Sequence, residues 1–344
     1  ATLLGESRIN SLSSAMDGGN YNQYWSVQSL INTGNLTKLP KVGLYVTLAV
    51  AYVALAGPGL YFFWKQRGMR QYYQLSVGIL SLCCTGMVLL MGMSTRFTGP
   101  FFTYATIKDT DRDEISETTF INMRAPYNKP YSVTLNPEYT LYPLTGSAYY
   151  NMGPLPKFTG EETPSITIHY DDEGTRVRSD NVGAFNSKFF MMERRMENGQ
   201  QEGFTGDVNS FDGKVTGTLT NNYGQEVDNV AILLYNQMIL IGHMEPGETV
   251  SLDGMKVIYG ITNFGYAMAE QITGASRYKE DKDIRDAAYV QALERTNLLS
   301  FYMGNYLSGY HSEARVLGFS NEKEETGFLK SSNYETYGST LLTS

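Results

Sequence analysis

The residue types best suited to metal chemistry begin with a short acidic segment. Asp109, Asp111 and Asp113 have the spacing that opens a calcium-binding loop, in which alternate carboxylates bind a hard cation. The rest of that loop is missing, because Glu114 stands at the glycine position and Phe120 at the position of the bidentate glutamate. We therefore interpret this segment as an acidic turn between strands and assign no metal site to it.

A second candidate for chemistry is His169, which is followed by acidic residues at 171–173. Imidazole and carboxylate groups are zinc ligands, but the chain has only 3 histidines and they stand in unrelated contexts. No nucleophile elbow, phosphate-binding loop or zinc-protease motif appears in a fitting context. The sequence therefore predicts no catalytic residue, no metal and no cofactor. A hydrolase in which acidic residues gather around His169 is the enzyme alternative.

Tyrosine is abundant, at 26 residues, and six tyrosines lie in a segment rich in proline, glycine and asparagine. Tyrosine combines apolar area with a hydroxyl and is common at recognition surfaces. The segment is thus a candidate contact surface for a glycan or a protein, and ordinary packing at the edge of a sheet is the simpler alternative. Its tyrosines are Tyr127, Tyr131, Tyr139, Tyr142, Tyr149 and Tyr150.

The elements that must position these groups start with two uncharged apolar segments. Val42–Trp64 has 23 uncharged positions, which at about 1.5 Å per residue extend roughly 34 Å as a helix and would cross a bilayer. Gln74–Met93 is also uncharged and has a similar length, and a short linker can only join antiparallel neighbours. The pattern predicts a transmembrane helical hairpin, and a buried pair of soluble helices is the alternative.

The linker of the hairpin is basic. Lys65, Arg67 and Arg70 lie within it, and the positive-inside bias of short loops places it in the cytoplasm. Both flanks of the hairpin are then extracytoplasmic. We expect further sequence before residue 1, because an extracytoplasmic N-terminal flank is easier to translocate after an earlier export signal or domain.

Small residues form a stripe on the first apolar segment. Such a stripe lets a second helix approach closely, either the partner within the hairpin or a helix of another membrane subunit. Pro58 lies in this stripe and should kink the helix, because it removes the hydrogen bond to the carbonyl of residue 54. The residues of this predicted packing surface are Thr47, Ala51, Ala54, Gly57, Pro58 and Gly59.

After residue 93 the pattern changes to short β-prone runs separated by turn residues, which predicts an antiparallel β-sandwich. Apolar residues then recur at helical spacing over Asp283–Leu307, predicting an amphipathic helix, and two further strands follow. The fold class is thus a membrane-anchored α+β protein. Its predicted parts are an extracytoplasmic flank over residues 1–41, the hairpin over 42–93, the sandwich as one or two modules over 94–262, and a helical segment with returning strands over 263–344.

Seven residues carry a resemblance to immunoglobulin-like modules of bacterial cell surfaces: Gly217, Leu219, Asn221, Val230, Pro246, Gly247 and Glu248. Together with a first helix that ends in Gly-Pro-Gly before a basic turn, the chain resembles a family of membrane proteins of Gram-positive bacteria. The resemblance implies an extracytoplasmic β-rich body and an association with ABC transporters.

The formal net charge of −8 argues against a nucleic-acid partner, because binding phosphates needs Lys and Arg clustered on one face. We predict a non-enzymatic, membrane-anchored accessory subunit of a bacterial membrane complex, whose partners are the lipid bilayer and integral membrane proteins such as ABC transporter subunits. The alternative is a cell-surface adhesion or carbohydrate-binding protein for which the hairpin is only a tether.

Overall fold

The two apolar segments fold as long helices joined by a short turn in the computed structural model of the protein. The first is interrupted by a π turn. Each of the two, here called the first span (Val42–Gln66) and the second span (Arg70–Met93), is long and apolar enough to cross a membrane. The hairpin consists of α1 (Val42–Ala54), the π turn (Leu55–Gly59), α2 (Leu60–Gln66), a 3₁₀ turn (Arg70–Tyr72) and α3 (Tyr73–Met93).

The structure describes residues 26–31, 42–93, 97, 99–144, 166–180, 183–234, 237–259, 265–276, 286–306, 314–320, 327–330 and 334–344. They divide into two units. The hairpin belongs to Leu36–Thr98, and the rest belongs to a mostly β unit that combines Ala1–Asn35 with Gly99–Ser344. The predicted boundary between residues 262 and 263 falls inside this β unit.

The β unit is built from short strands with two helices near its C-terminal end. Its strands are β1 (Phe101–Thr110), β2 (Glu114–Arg124), β3 (Tyr131–Leu135), β4 (Thr140–Leu144), β5 (Ile166–His169), β6 (Thr175–Ser179), β7 (Lys188–Glu197), β8 (Phe204–Phe211), β9 (Lys214–Asn221), β10 (Val227–Leu234), β11 (Gln237–Met244), β12 (Thr249–Ser251), β13 (Val257–Tyr259), β14 (Arg315–Ser320) and β15 (Glu335–Thr343). Its helices are α4 (Gly265–Thr273) and α5 (Ala287–Asn305), and residues 26–31 are also helical.

Nine strands form the central sheet, in the order β13-β11-β10-β14-β15-β1-β2-β7-β4. The strands pair in antiparallel fashion except β1 and β15, which run parallel. The C-terminal strands β14 and β15 therefore lie in the middle of the sheet, between strands formed much earlier in the chain. Two smaller sheets of three strands each, β12-β9-β8 and β3-β6-β5, complete the unit.

Successive side chains of the central strands point to opposite faces of the sheet, and both faces are buried. On β1, Ala105 and Ile107 join a core that contains α4, α5 and residues 26–31, whereas Phe102 faces the core under the sheet β3-β6-β5. The sheet β12-β9-β8 covers the other half of that second face, where Ile232 of β10 and Leu342 of β15 are buried. Helices thus cover one face, and the two small sheets lie side by side on the other.

The predicted β-prone runs and the predicted C-terminal helix match elements of the structure. The helix predicted over Asp283–Leu307 is α5, although Asp283 and Leu307 lie outside the described residues. It begins where the Asp286 side chain accepts a hydrogen bond from the Ala288 N–H at 3.0 Å, the usual N-cap arrangement. Both faces of the central sheet are covered, one by helices and the other by the two small sheets.

Candidate functional site: the helical hairpin and two polar cavities

Gly68 closes the turn of the hairpin. Its φ of +72° lies in the left-handed region, which favours glycine. The Met69 N–H donates to the Trp64 carbonyl at 3.1 Å, and the Gly68 N–H donates to the Lys65 carbonyl at 3.2 Å. These two bonds form a Schellman motif, which ends the first span and turns the chain toward α3.

The predicted basic residues Lys65, Arg67 and Arg70 all lie at this turn and are exposed. The Arg67 guanidinium lies 4.4 Å from the ring centroid of Phe63, and the Lys65 ammonium lies 6.0 Å from that of Tyr61. Cations over aromatic faces gain electrostatic attraction, so the aromatic rings of α2 stabilise the charges at the turn.

A five-residue π turn over Leu55–Gly59 accommodates Pro58 within the first span. A π turn closes its hydrogen bonds over five residues instead of four, so the backbone passes the proline ring through a wider turn than an α-helix allows. A Cβ built on Gly59 would lie 3.1 Å from the Ala54 carbonyl oxygen. The glycine after the proline therefore avoids a tight contact between a side chain and the backbone of the turn.

The π turn changes the partner of one carbonyl. The Leu60 N–H points to the carbonyls of Leu55 and Gly57, and not to that of Ala56, its partner in a regular α-helix. The Ala56 carbonyl instead accepts a hydrogen bond from the Tyr73 hydroxyl of α3, at 2.9 Å. A side chain of the second span thus satisfies a backbone group of the first.

A second hydrogen bond joins the two spans, because the Trp64 indole N–H donates to the Ser76 hydroxyl at 2.9 Å. The half-buried residues of the first span recur every three or four positions, so they form the face turned toward α3. They are Tyr45, Leu48, Tyr52, Ala56, Leu60 and Trp64.

The predicted small-residue surface lies outside that face. All six of its residues are exposed in the hairpin, and no atom lies within 4 Å of a Cβ built on Gly57. The sequence allowed two occupants of this surface, the partner helix of the hairpin or a helix of another subunit. Within the hairpin, the partner helix α3 does not occupy it. The residues are Thr47, Ala51, Ala54, Gly57, Pro58 and Gly59.

The predicted tyrosine surface is not a single surface. Tyr131 of β3 and Tyr139, in the turn before β4, are 7% and 2% exposed and belong to the same hydrophobic core. Tyr127 is half-buried and contacts Tyr131 edge to face, with centroids 6.3 Å apart, whereas Tyr142 is 42% exposed. Tyr149 and Tyr150 lie outside the described residues.

The acidic segment at the end of β1 is a hairpin turn, the interpretation that the sequence favours. The Asp111 N–H donates to the Glu114 carbonyl at 2.9 Å, and Asp111 and Asp113 are exposed. His169 lies on β5, opposite Arg176 of β6. Among the described residues, no group of three or more His, Cys, Asp or Glu side chains is arranged to hold a metal ion.

The sequence did not predict the buried ion pair between Glu117 and Arg194. Glu117 of β2 is 8% exposed and receives hydrogen bonds from Arg194 Nη2 at 2.7 Å and from the Tyr139 hydroxyl at 2.8 Å. The Arg194 guanidinium also lies 4.6 Å from the centroid of the Tyr139 ring. In the sequence of β2, Glu117 stands at an alternate position between the buried residues Ile115 and Thr119, and this spacing indicates a buried carboxylate. Its partner Arg194 is 77 residues away, so no local pattern predicts the pair.

A small cavity of about 10 Å³ lies between α5, strands β1 and β15, and residues 26–31. Glu294 lines it, and burial raises the pKa of this carboxyl to about 7. The Thr103 hydroxyl also lines it, is buried, and has no hydrogen-bond partner in the described part of the chain. The volume is close to the smallest that holds one water molecule, and the two oxygens would be its partners.

A larger cavity of about 150 Å³ lies at the C-terminal end of α5. There Asp109 accepts hydrogen bonds from the Thr343 hydroxyl at 2.7 Å and from Arg315 at 3.4 Å. The rings of Tyr302 and Tyr306 stack above it with centroids 5.4 Å apart and an angle of 13°. The lining residues are Ile107, Asp109, Ser116, Thr118, Tyr302, Tyr306 and Arg315.

Similarity to known proteins is found with one family model and with solved structures. A search of curated proteins found no match. Solved structures of the yeast delta-COP-I mu-homology domain, alone and in complex with the Dsl1 WxWxV peptide, each share 8% identity with this chain, with a TM-score of 0.31, covering 72% of this chain and 95% of that chain. Residues 203–344, which span β8–β15, α4 and α5, are similar to the family described as a domain of unknown function (DUF8725).

Proposed function

We propose that the hairpin crosses a bilayer and anchors the β unit to the membrane. The observation that carries this proposal is the exposure of the apolar hairpin, in which no residue of α1 or α3 is buried and Leu82 and Leu90 are 77% and 69% exposed. Helix α5, in contrast, buries Leu298 and Leu299 in the core of the β unit. Exposed apolar area costs about 25 cal/mol per Å² in water, and lipid removes that cost.

The topology follows from the residues on either side of the hairpin. Val27, Leu30 and Ile31 precede it and share a core with Ala105 and Ile107, which follow it. Both flanks therefore belong on one side of the membrane, as two spans require. The basic turn lies on the opposite side, and the positive-inside bias makes that side the cytoplasm and the β unit extracytoplasmic.

The role that we propose is that of a non-enzymatic accessory subunit of a bacterial membrane complex. The small-residue surface of the first span is exposed while the other face contacts α3, so a helix of an integral membrane partner has a place to dock. The buried carboxylate of Glu117 has both oxygens engaged within the protein, which supports a structural use. ABC transporter subunits are the partner class that the sequence resemblance implies.

Cysteine labelling tests the topology. The native thiols Cys83 and Cys84 lie in the second span and are first replaced by alanine. In that background, Gln66→Cys at the turn should react with a membrane-impermeant maleimide only after permeabilisation, and Asp207→Cys on β8 should react in intact cells. The reverse pattern would place the β unit in the cytoplasm and contradict the proposal.

Co-purification in a mild detergent, followed by mass spectrometry, tests the accessory role. We expect integral membrane proteins to accompany the chain, and Ala51→Leu with Ala54→Leu to release them by filling the close-approach surface. Val50→Leu, at an exposed position beside that surface, is the matched control. Recovery of a stable, lone monomer from the native membrane would contradict an accessory role.

A further inference from the structure

The helix-covered face of the central sheet becomes polar at one end. Thr343 of β15, Asp109 of β1 and Ser116 of β2 are direct neighbours in the strand register, and Arg315 of β14 lies beside them. One step further along the same face of β1, Ile107 belongs to the apolar core. The change from apolar to polar side chains marks the point where the helical layer stops covering the sheet.

Helix α5 ends above this polar row. Its last turn carries Tyr302, Tyr306 directly follows it, and the stacked rings of these two residues form one wall of the cavity of about 150 Å³. Burial raises the pKa of both tyrosine hydroxyls, so they stay neutral at physiological pH and act as hydrogen-bonding groups. An aromatic wall with a few convergent polar groups is the usual composition of a small-molecule site.

The charges of the cavity favour a ligand without net charge. Arg315 and Asp109 lie 3.4 Å apart, and their side chains are 32% and 41% exposed. An anion would meet the carboxylate and a cation would meet the guanidinium within a few ångströms. The second carboxylate oxygen of Asp109 and the Ser116 hydroxyl have no hydrogen-bond partner among the described residues, so both can bind a ligand hydroxyl.

We propose that this cavity binds a small neutral polyol of the size of one monosaccharide unit. Asp109 accepts and Arg315 donates hydrogen bonds to adjacent hydroxyls of the ligand, Ser116 adds a third polar contact, and the tyrosine rings cover its apolar face. The volume is well below the roughly 300 Å³ of a site for a drug-sized molecule, which limits the ligand to a single small unit. This site is independent of the proposed membrane partner.

The test uses the full chain in a detergent that carries no sugar headgroup. Glucose, galactose and N-acetylglucosamine are titrated by saturation-transfer NMR and calorimetry, with glycine, glutamate and lysine as zwitterionic probes. We expect saturable binding of at least one sugar and none of the amino acids. Binding of an amino acid with the sugars inert, or no saturable binding at all, would overturn the proposal.

Two variants of Ser116 locate the binding. Ser116→Ala removes one ligand hydrogen bond and no intramolecular one, so affinity should fall about three- to tenfold with an unchanged melting temperature. Ser116→Leu fills the cavity and should abolish binding. Arg178→Gln, which removes an exposed ion pair with Asp180 on β6, is the control and should bind normally. Unchanged sugar affinity in Ser116→Leu would place the binding elsewhere and overturn the assignment.

Discussion

The Tyr73 hydroxyl donates a hydrogen bond to the Ala56 backbone carbonyl across the two helices of the hairpin, at 2.9 Å. The π turn around Pro58 directs the Leu60 N–H away from this carbonyl. In the proposed bilayer, an unpaired backbone carbonyl would cost several kcal/mol, so the hydroxyl of the first residue of α3 compensates for the donor that the π turn redirects. This bond and the one from Trp64 to Ser76 join the two helices.

Tyr73→Phe removes this donor and keeps the aromatic ring. We expect the hairpin to lose about 1 kcal/mol, the usual size of a hydrogen bond between transmembrane helices. Denaturation in mixed micelles, followed by circular dichroism, measures the loss. Tyr72→Phe is the matched control, because the neighbouring Tyr72 is 43% exposed. Equal stability of Tyr73→Phe and Tyr72→Phe would show that the Ala56 carbonyl needs no partner.

Gly68→Ala tests the Schellman turn. A Cβ at a φ of +72° costs roughly 1–2 kcal/mol, so the variant should be less stable by that amount and fray at the end of α2. Amide hydrogen exchange at Met69, which donates the closing bond, reports the fraying directly. Gly57→Ala is the control, since its Cβ would meet no neighbour. Faster exchange in both variants would argue against a specific role of Gly68.

Glu117→Gln removes the charge that faces Arg194 and keeps the shape of the side chain. The partly buried guanidinium is left with Glu138, whose side chain is 62% exposed. We expect a loss of about 2–4 kcal/mol in the unfolding free energy of the β unit, measured with urea. Glu114→Gln breaks the exposed pair with Arg195 on the same two strands and should cost less than about 1 kcal/mol. Similar losses in the two variants would contradict this ranking.

Glu294 makes stability depend on pH near neutrality. Its pKa in the folded protein is about 7, above the ordinary value of 4.5, so the folded state holds the proton more tightly than the unfolded state. The stability linked to this proton is complete below pH 4.5 and is lost as the pH rises through 7. Between those limits the loss amounts to roughly 3 kcal/mol.

Glu294→Gln should remove that loss. Urea unfolding at pH 5 and pH 8 should show a smaller difference in the variant than in the wild type, and Asp207→Asn, at an exposed position, should behave like the wild type. The same pH dependence in Glu294→Gln and wild type would mean that the carboxyl is ionised in the folded protein at pH 5.

Local patterns in the sequence were sufficient for most elements. The absence of charge in two segments predicts both long helices, and alternation predicts strands such as β3 and β9 at their observed positions. Composition alone does not tell which side a residue faces. Tyr131 and Tyr139 lie in a tyrosine-rich segment that could be a contact surface or ordinary packing, and both are buried.

What the sequence by itself determined is the hairpin, with its basic turn, and the order of strands and helices along the chain, because charge, periodicity and turn residues act over a few neighbouring positions. Only the tertiary structure decided that β14 and β15 enter the centre of the sheet, beside β1. That insertion brings Arg315 to Asp109, 206 residues earlier, and so creates the polar cavity. Long-range strand pairing depends on the packing of whole layers, which no short segment of a chain encodes.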